Sequence, residues 1–217
     1  MSVEVEQKFI FDSDTLKTVE DIGVCVGQKQ FHDQYFDTPD FKLTLRDTWL
    51  RRRKQSWELK CPTAAVSRTE ESLCTQYKEI TNLSEIYQRV KELINNAPET
   101  DETPSDEDDS WLSELHLVCF AEFTTTRRSF TLKGVEGVQI DLDQADFGYH
   151  VGEIEVLVPE GGDMLSAQEK IRQTAQRLGE LNAIKLLTVC YDLLLLHVFD
   201  LLLFTQVCTA REELKER

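Results

Sequence analysis

The chain has 217 residues, of which 41% are hydrophobic and 29% are charged, a composition that predicts one large globular domain with a substantial core. Its formal net charge of −16 excludes general binding to nucleic acids or anionic membranes, because the field of the whole molecule repels polyanions. One small anion in a locally basic pocket is compatible with this charge. The six cysteines form no Cys-x-x-Cys pair, and the charged N-terminus does not resemble a signal peptide. We therefore expect reduced thiols and a cytoplasmic location. We also expect a monomer.

Alternation of apolar and polar residues predicts most of the chain to be β-strand. The predicted strands are 2–11, 24–36, 43–53, 55–61, 73–80, 116–124, 126–133, 137–145 and 150–158. Helical spacing predicts a helix capped by Ser13 that ends near Gly23, a second over 83–96, and a third over 164–178 ended by Gly179. The third helix would turn Leu165, Ile171, Ala175 and Leu178 inward. This pattern is typical of an α+β fold, mainly antiparallel, in which a barrel or sandwich carries peripheral helices.

Two segments depart from this pattern. Residues 97–110 combine acids and prolines without a basic residue, so we expect an acidic disordered insertion. Residues 187–217 begin with a run of leucines that contains two aspartates. On an insertion scale the apolar residues and the two aspartates nearly cancel, so we predict a divergent apolar C-terminal tail and no membrane span.

Charged residues recur two apart in several predicted strands and therefore share a face. The rows are Glu4, Glu6 and Lys8; Trp49, Arg51 and Arg53; Glu58 and Lys60; Asp141 and Asp143; and Glu153 and Glu155. A sheet with one solvated face would give the same alternation. Neighbouring carboxylates repel each other, however, and so do neighbouring arginines, so such rows require compensating ions. If the sheet closes into a barrel, the rows converge on a cavity suited to a metal ion and a polyphosphate.

Several motifs resemble the CYTH, or triphosphate tunnel metalloenzyme, superfamily, and within it the thiamine triphosphatases of vertebrates. They are Glu4-Val-Glu-Gln-Lys8, Asp47-Thr-Trp-Leu-Arg-Arg-Arg53, Trp57-Glu-Leu-Lys-Cys-Pro62, Tyr77-Lys-Glu79, and the stretch from Asp141 to Glu155. The resemblance extends over residues 1–186, which we treat as a triphosphate-tunnel domain. It implies an eight-stranded antiparallel β-barrel and Mg²⁺-dependent hydrolysis of thiamine triphosphate to the diphosphate and phosphate.

The resemblance also assigns roles to individual residues. It implies that the metal ligands are Glu4, Glu6, Asp141, Glu153 and Glu155, and that the triphosphate is held by Lys8, Arg51, Arg53, Lys60, Arg128 and Lys185, with Glu153 also at the substrate. Arg127 is adjacent to Arg128, and strand parity groups Arg128 with Phe130 and Leu132.

Three further expectations concern recognition of the organic part of the substrate and the mechanism of hydrolysis. Without the resemblance, a core tryptophan is the plainer interpretation of Trp49. With the resemblance, we expect its indole to bind the substrate, since it would attract a thiazolium cation by about 0.5–2 kcal/mol. We expect water to attack the terminal phosphorus in line with the departing diphosphate. Lys60 is the expected general base, its pKa lowered by neighbouring arginines, and the resemblance implies that Tyr35 assists it.

Three alternatives remain at this stage. The same tunnel would serve an inorganic tripolyphosphatase or a nucleoside triphosphatase. A non-catalytic polyphosphate-binding module belongs to another class. A structural β-protein with charged outer strands would bind neither metal nor triphosphate.

Overall fold

The computed structural model describes residues 2–63, 74–95, 109–180 and 185–186, which belong to one compact unit ending at Leu186. The strands are β1 (Ser2–Ile10), β2 (Gly23–Asp37), β3 (Trp49–Arg53), β4 (Ser56–Pro62), β5 (Thr75–Ile80), β6 (Val118–Leu132), β7 (Gln139–Ala145), β8 (His150–Pro159) and the two-residue β9 (Lys185–Leu186). The helices are α1 (Ser13–Ile22), α2 (Leu83–Asn95), α3 (Ser110–Glu114) and α4 (Met164–Glu180).

Eight of the strands form a closed antiparallel barrel. Their order is β5-β4-β3-β2-β6-β7-β8-β1, and β1 also pairs with β5, which closes the ring. The short β9 adds to β1 beside Phe9 and Ile10. This confirms the predicted α+β barrel with peripheral helices.

Alternation within each strand separates the charged face from the apolar face. In β1, Val5 and Phe9 are fully buried in a core beneath α4, and Glu4, Glu6 and Lys8 point to the opposite side. Glu6 pairs in register with Glu155 of β8, and Lys8 pairs with Glu153. Because cross-strand partners share a face, the charged rows of β1 and β8 line the same interior wall.

Two apolar cores lie on the outside of the barrel and hold the helices against it. The first contains Val5, Phe130, Ile140 and Ile154 from the strands, with Ile171 and other residues of α4. The second contains Leu59 and Trp57 of β4, residues of α2, and Trp111 of α3. The apolar faces are thus used by the helices, which leaves the polar faces directed into the tunnel.

Several predicted elements need correction. The strand predicted from residue 43 begins at Trp49, because the Asp37 carboxylate accepts the backbone N–H groups of Leu43 and Thr44 and holds them in a 3₁₀ turn. The two strands predicted over 116–133 are one strand, β6, since a run of β-branched threonines continues it.

The helix predictions were also wrong in detail. Asp12, not Ser13, caps α1, because its carboxylate accepts the N–H groups of Asp14 and Thr15. Gly179 lies within α4 instead of ending it. Leu165 is 77% exposed, whereas the other three residues predicted to face inward from this helix are buried.

Some predictions fall on parts of the chain that the structure does not describe. The predicted tail, 187–217, lies outside the described residues, as does the acidic segment except for Asp109 and Ser110. Among the described cysteines, Cys25, Cys61, Cys74 and Cys119 are free thiols. No helix within the described ranges is long and apolar enough to cross a membrane. The cytoplasmic location and the monomeric state stay predictions.

Candidate active site

Five carboxylates expected to face a metal ion come together in the tunnel. Asp141, Glu153 and Glu155 each offer an oxygen, and these oxygens lie within 4.8 Å of one another. Asp141 of β7 pairs in register with Glu153 of β8, and Glu6 of β1 pairs with Glu155. Closure of the barrel therefore collects carboxylates from three strands that are distant in sequence.

The proximity of these carboxylates changes their proton affinity. Burial, together with the charges of Asp141, Glu4 and Glu153, raises the pKa of Glu155 to about 8. Burial and the charge of Glu6 likewise raise the pKa of Glu4, although Lys60 opposes them. Such crowding is relieved by a proton or by a cation.

Two lysines supply part of the compensating charge. The ammonium of Lys8 lies between Glu6, at 3.1 Å, and Glu153. Lys60 Nζ lies 2.7 Å from Glu6 Oε2 and 2.8 Å from Glu4 Oε2. Burial disfavours ionisation of Glu6, which is 0% exposed, but the charges of Lys60 and Lys8 outweigh burial and lower its pKa. The pKa of Glu153 is likewise lowered despite burial, by Lys8 and Arg127.

The environment of Lys60 differs from the expectation. Burial lowers the pKa of Lys60, but Glu6 and Glu4 outweigh burial and the charge of Lys8, so the net shift is upward. The predicted lowering by neighbouring arginines is therefore wrong. Carboxylates, not arginines, contact this ammonium because Lys60 of β4 faces β1 across the tunnel.

Two arginines of β3 are held by carboxylates on other strands of the barrel. Arg51 Nε donates to Glu58 Oε2 at 2.7 Å, and Arg51 Nη2 lies 3.2 Å from Glu79 Oε1. Arg53 donates through Nε and Nη2 to the two oxygens of Asp33, at 2.7 and 2.6 Å. Asp33 is only 1% exposed, so this fork-to-fork pair fixes the guanidinium plane.

Arg127, not Arg128, occupies the interior position on β6. Arg127 Nε and Nη2 donate to both oxygens of Asp143, and its Nη1 and Nη2 reach Asp141 and Glu153 at 2.5 and 3.0 Å. Arg128 instead lies 2.6 Å from Glu20 of α1, with its guanidinium over the ring of Phe130 in the outer core. The expectation that Arg128 faces the substrate is corrected, because adjacent strand residues point to opposite faces.

The two aromatic residues expected at the substrate both lie on the interior wall. Trp49 is paired in register with Lys60, and its Nε1 donates to Asp47 Oδ1 at 3.4 Å. Tyr35 is paired in register with Arg51. The tunnel thus places an indole and a phenol beside the cations. The backbone of Lys185 pairs with Ile10, but its side chain is outside the described part of the chain.

Sequence reasoning placed Asp143 in a charged row without giving it a role, and it missed two further residues that the tunnel uses, Asp33 and Arg127. For Arg127 and Asp143 the signal was present, since Arg127 alternates with the apolar Phe130 and Leu132, and Asp143 with Leu142. Asp33 lies between Phe31 and Tyr35 on one face of β2, and only its pairing with Arg53 identifies its role.

Comparison with known proteins agrees with this architecture. Residues 2–188 match the CYTH domain family. Human thiamine-triphosphatase is 36% identical over 185 residues, covering 82% of this chain and 77% of that protein, and thiamine-triphosphatase of Macaca fascicularis is 35% identical over the same shares. The PH1819 protein of Pyrococcus horikoshii OT3 shares the fold, with a TM-score of 0.59 at 20% identity over 89% of this chain and 98% of that one. The chain described here therefore belongs to the CYTH-domain family.

Proposed function

We propose that this protein is a Mg²⁺-dependent hydrolase that converts thiamine triphosphate to thiamine diphosphate and phosphate. The observation that carries the proposal is the convergence of carboxylates and cations on one tunnel wall. Glu6, Arg53 and Glu155 all face this interior, which argues against a structural β-protein with charged outer strands. The names of the two primate relatives support thiamine triphosphate as the substrate.

The charge inside the tunnel supports a requirement for divalent cations. Among the described interior side chains, carboxylates outnumber lysines and arginines, so a polyanion entering alone would be repelled. The donor set fits Mg²⁺, which prefers carboxylate oxygens and is commonly shared with substrate phosphates. Asp141, Glu153 and Glu155 would hold the ion, with Glu4 and Glu6 on the facing strand. A bound divalent cation would neutralise charge that develops on the phosphate oxygens.

The cations of the chain would bind the triphosphate. Arg51, Arg53 and Arg127 present planar donor forks, and Lys8 and Lys60 add point charges. Carboxylate partners already orient the guanidinium groups of all three arginines, which reduces the entropy lost on binding. Lys185 remains a further proposed phosphate ligand.

The residues near Lys60 would organise the attack of water on the terminal phosphorus. We retain Lys60 as the proposed general base and Tyr35 as its assistant. Glu4 and Glu6 stabilise the Lys60 ammonium, which cannot itself accept a proton. Lys60 would therefore have to release a proton to solvent before it acts as a base, which requires that other groups neutralise the charge of the two carboxylates. The arginines would stabilise the negative charge that moves onto the departing diphosphate.

Release of phosphate from thiamine triphosphate, tripolyphosphate and ATP, with and without Mg²⁺, tests the proposal. We expect Mg²⁺-dependent turnover with preference for thiamine triphosphate, and loss of turnover in Glu6→Gln, which keeps the size of the side chain and removes its charge. Binding of triphosphate without phosphate release would instead indicate a non-catalytic polyphosphate-binding module.

Trp49 separates the proposed activity from an inorganic tripolyphosphatase. Trp49→Ala should lower kcat/KM for thiamine triphosphate by about two- to thirtyfold, because it removes a cation–π contact of about 0.5–2 kcal/mol. Tripolyphosphate has no ring, so its hydrolysis should change by less than about twofold. Equal losses with both substrates would show that Trp49 supports the tunnel without recognising the thiazolium.

A further inference from the structure

Six aromatic rings form a continuous row along one rim of the barrel. The row, in order of contact, is Phe41, Phe120, Tyr35, Phe123, Phe147 and Tyr149. Successive ring centroids are 5.3–6.4 Å apart, within the range of direct ring contact. None of the six belongs to either of the apolar cores beneath the helices.

The aromatic row belongs to the interior side of the rim. Tyr35 is paired with Arg51, and Phe123 is paired with Asp33, so both rings share a face with the phosphate-binding arginines and their partners. A register shift at Tyr35/Phe36 leaves Phe120 as the extra residue of β6. This bulge turns the Phe120 ring towards Tyr35, against simple alternation.

The rings remain accessible to a ligand. Phe147, on the turn between β7 and β8, is 39% exposed, and the other five rings are half-buried. A row of this kind offers ring faces on which a planar heterocycle can stack. Trp49 is two residues from Arg51, whose cross-strand partner is Tyr35, so the backbones of Trp49 and Tyr35 are roughly 7–8 Å apart.

We propose that the aromatic row is the subsite for a heteroaromatic ring of an organic triphosphate whose phosphates lie on Arg51 and Arg53. This proposal rests on the proposed function, because it requires the triphosphate in the tunnel. With thiamine triphosphate, the thiazolium takes the Trp49 face and the aminopyrimidine takes the row. The row then discriminates organic triphosphates from inorganic tripolyphosphate.

Substitution of Phe147 tests the subsite, because this exposed ring can be removed with little effect on folding. In Phe147→Leu, KM for thiamine triphosphate should rise by about fivefold or more, with kcat changed by less than about twofold. KM for tripolyphosphate should stay unchanged. Phe147→Tyr keeps the ring and should behave as the wild type, and Leu165→Ala, at an exposed position of the peripheral helix α4, controls for loss of any apolar side chain.

Phe123→Leu provides a second variant within the row, and thermal unfolding of each variant separates misfolding from loss of binding. Equal KM changes with the organic and inorganic substrates, or no change in either Leu variant, would overturn the subsite. If the wild type hydrolyses tripolyphosphate but not thiamine triphosphate, the proposed function fails. In that case, competitive inhibition of tripolyphosphate hydrolysis by free thiamine tests the aromatic subsite. Inhibition that weakens in Phe147→Leu supports the subsite, and absence of inhibition overturns it.

Discussion

Arg127 and Arg128 are adjacent in β6, yet their guanidinium groups have opposite environments. Arg127 contacts three tunnel carboxylates, and Arg128 contacts Glu20 outside the barrel. Arg127→Gln should lower kcat/KM roughly 30-fold or more, since removing a buried charge contact costs about 2–5 kcal/mol. Arg128→Gln is the matched control and should stay within about twofold of wild type. Steady-state phosphate release measures both, and a larger loss in Arg128→Gln would contradict the assignment.

Most of the interior residues could be predicted from strand parity alone, but their partners could not. Alternation placed Glu6, Arg53 and Glu155 on polar faces correctly. It could not show that Asp33 binds Arg53, or that Glu6 contacts Lys60. These pairs depend on the arrangement and register of the strands, which alternation alone does not determine. The prediction of the charges around Lys60 was wrong for the same reason. Its nearest charged partner is Glu6 of β1, which is 54 residues away in sequence.

Lys60→Arg separates the two roles that Lys60 has in the proposed mechanism. Arginine keeps the positive charge near Glu4 and Glu6 but does not release a proton at accessible pH. If Lys60 accepts the proton of the attacking water, kcat should fall by about 100-fold or more, with a small change in KM. Turnover near the wild-type level would limit Lys60 to phosphate binding. Single-turnover and steady-state phosphate release together measure the change.

The pairing of β1 with β8 depends on a close contact between Gly152 and Phe9. A Cβ atom at Gly152 would overlap the Phe9 ring, which lies in the outer core directly across from it. Gly152→Ala should therefore destabilise the fold by about 1–3 kcal/mol, the usual cost of overpacking a core. Because Lys8 and Glu153 flank these residues, a displaced register would also reduce Mg²⁺-dependent activity. Denaturant unfolding measures the free energy of unfolding.

Gly179→Ala is the control for this substitution. No atom lies within 4 Å of a Cβ built at Gly179, which is inside α4. Alanine should stabilise the helix by up to about 1 kcal/mol. Destabilisation of Gly179→Ala as large as that of Gly152→Ala would show that the Phe9 contact is not the cause.

Element boundaries show where local sequence signals stop being sufficient. The long amphipathic segments gave β1, α2 and α4 nearly correctly, because their apolar faces are continuous. The start of β3 was missed, since the Asp37 carboxylate captures backbone groups of residues 43 and 44 that period-two alternation assigns to a strand. Gly179 was read as a helix end, but a glycine inside a helix is tolerated at modest cost.

For the whole molecule, closure of the barrel converts a dispersed charge pattern into a site. The sequence shows acidic and basic rows, but only the pairing of β1 with β5 as well as β8 makes them face one another. Acidic residues outnumber basic residues in the whole chain, which has a net charge of −16, and they also do so among the described side chains inside the tunnel. Binding of a polyanionic substrate should therefore depend on divalent cations more steeply than on the overall ionic strength.

The same crowding makes the stability of the metal-free protein depend on pH. Burial and the charges of Asp141, Glu4 and Glu153 raise the pKa of Glu155 from 4.5 to about 8, so the folded state binds this proton more tightly than the unfolded state. This contribution to stability is complete below 4.5 and is lost as the pH rises through about 8. The lowered pKa values of Glu6 and Glu153 have the opposite effect on stability. The stability that these two groups contribute is present above about pH 4.5 and is lost as the pH falls below this value.

Glu155→Gln carries a permanently neutral amide and removes this dependence. In a metal chelator, the Tm of wild type should fall relative to that of Glu155→Gln as the pH rises from about 4.5 to about 8. Addition of Mg²⁺ should reverse the order above neutral pH, because the ion stabilises the ionised carboxylate that the variant lacks. Parallel Tm curves for the two proteins in chelator would show that Glu155 is not crowded by the other carboxylates, and would remove the charge argument for a metal ion between them.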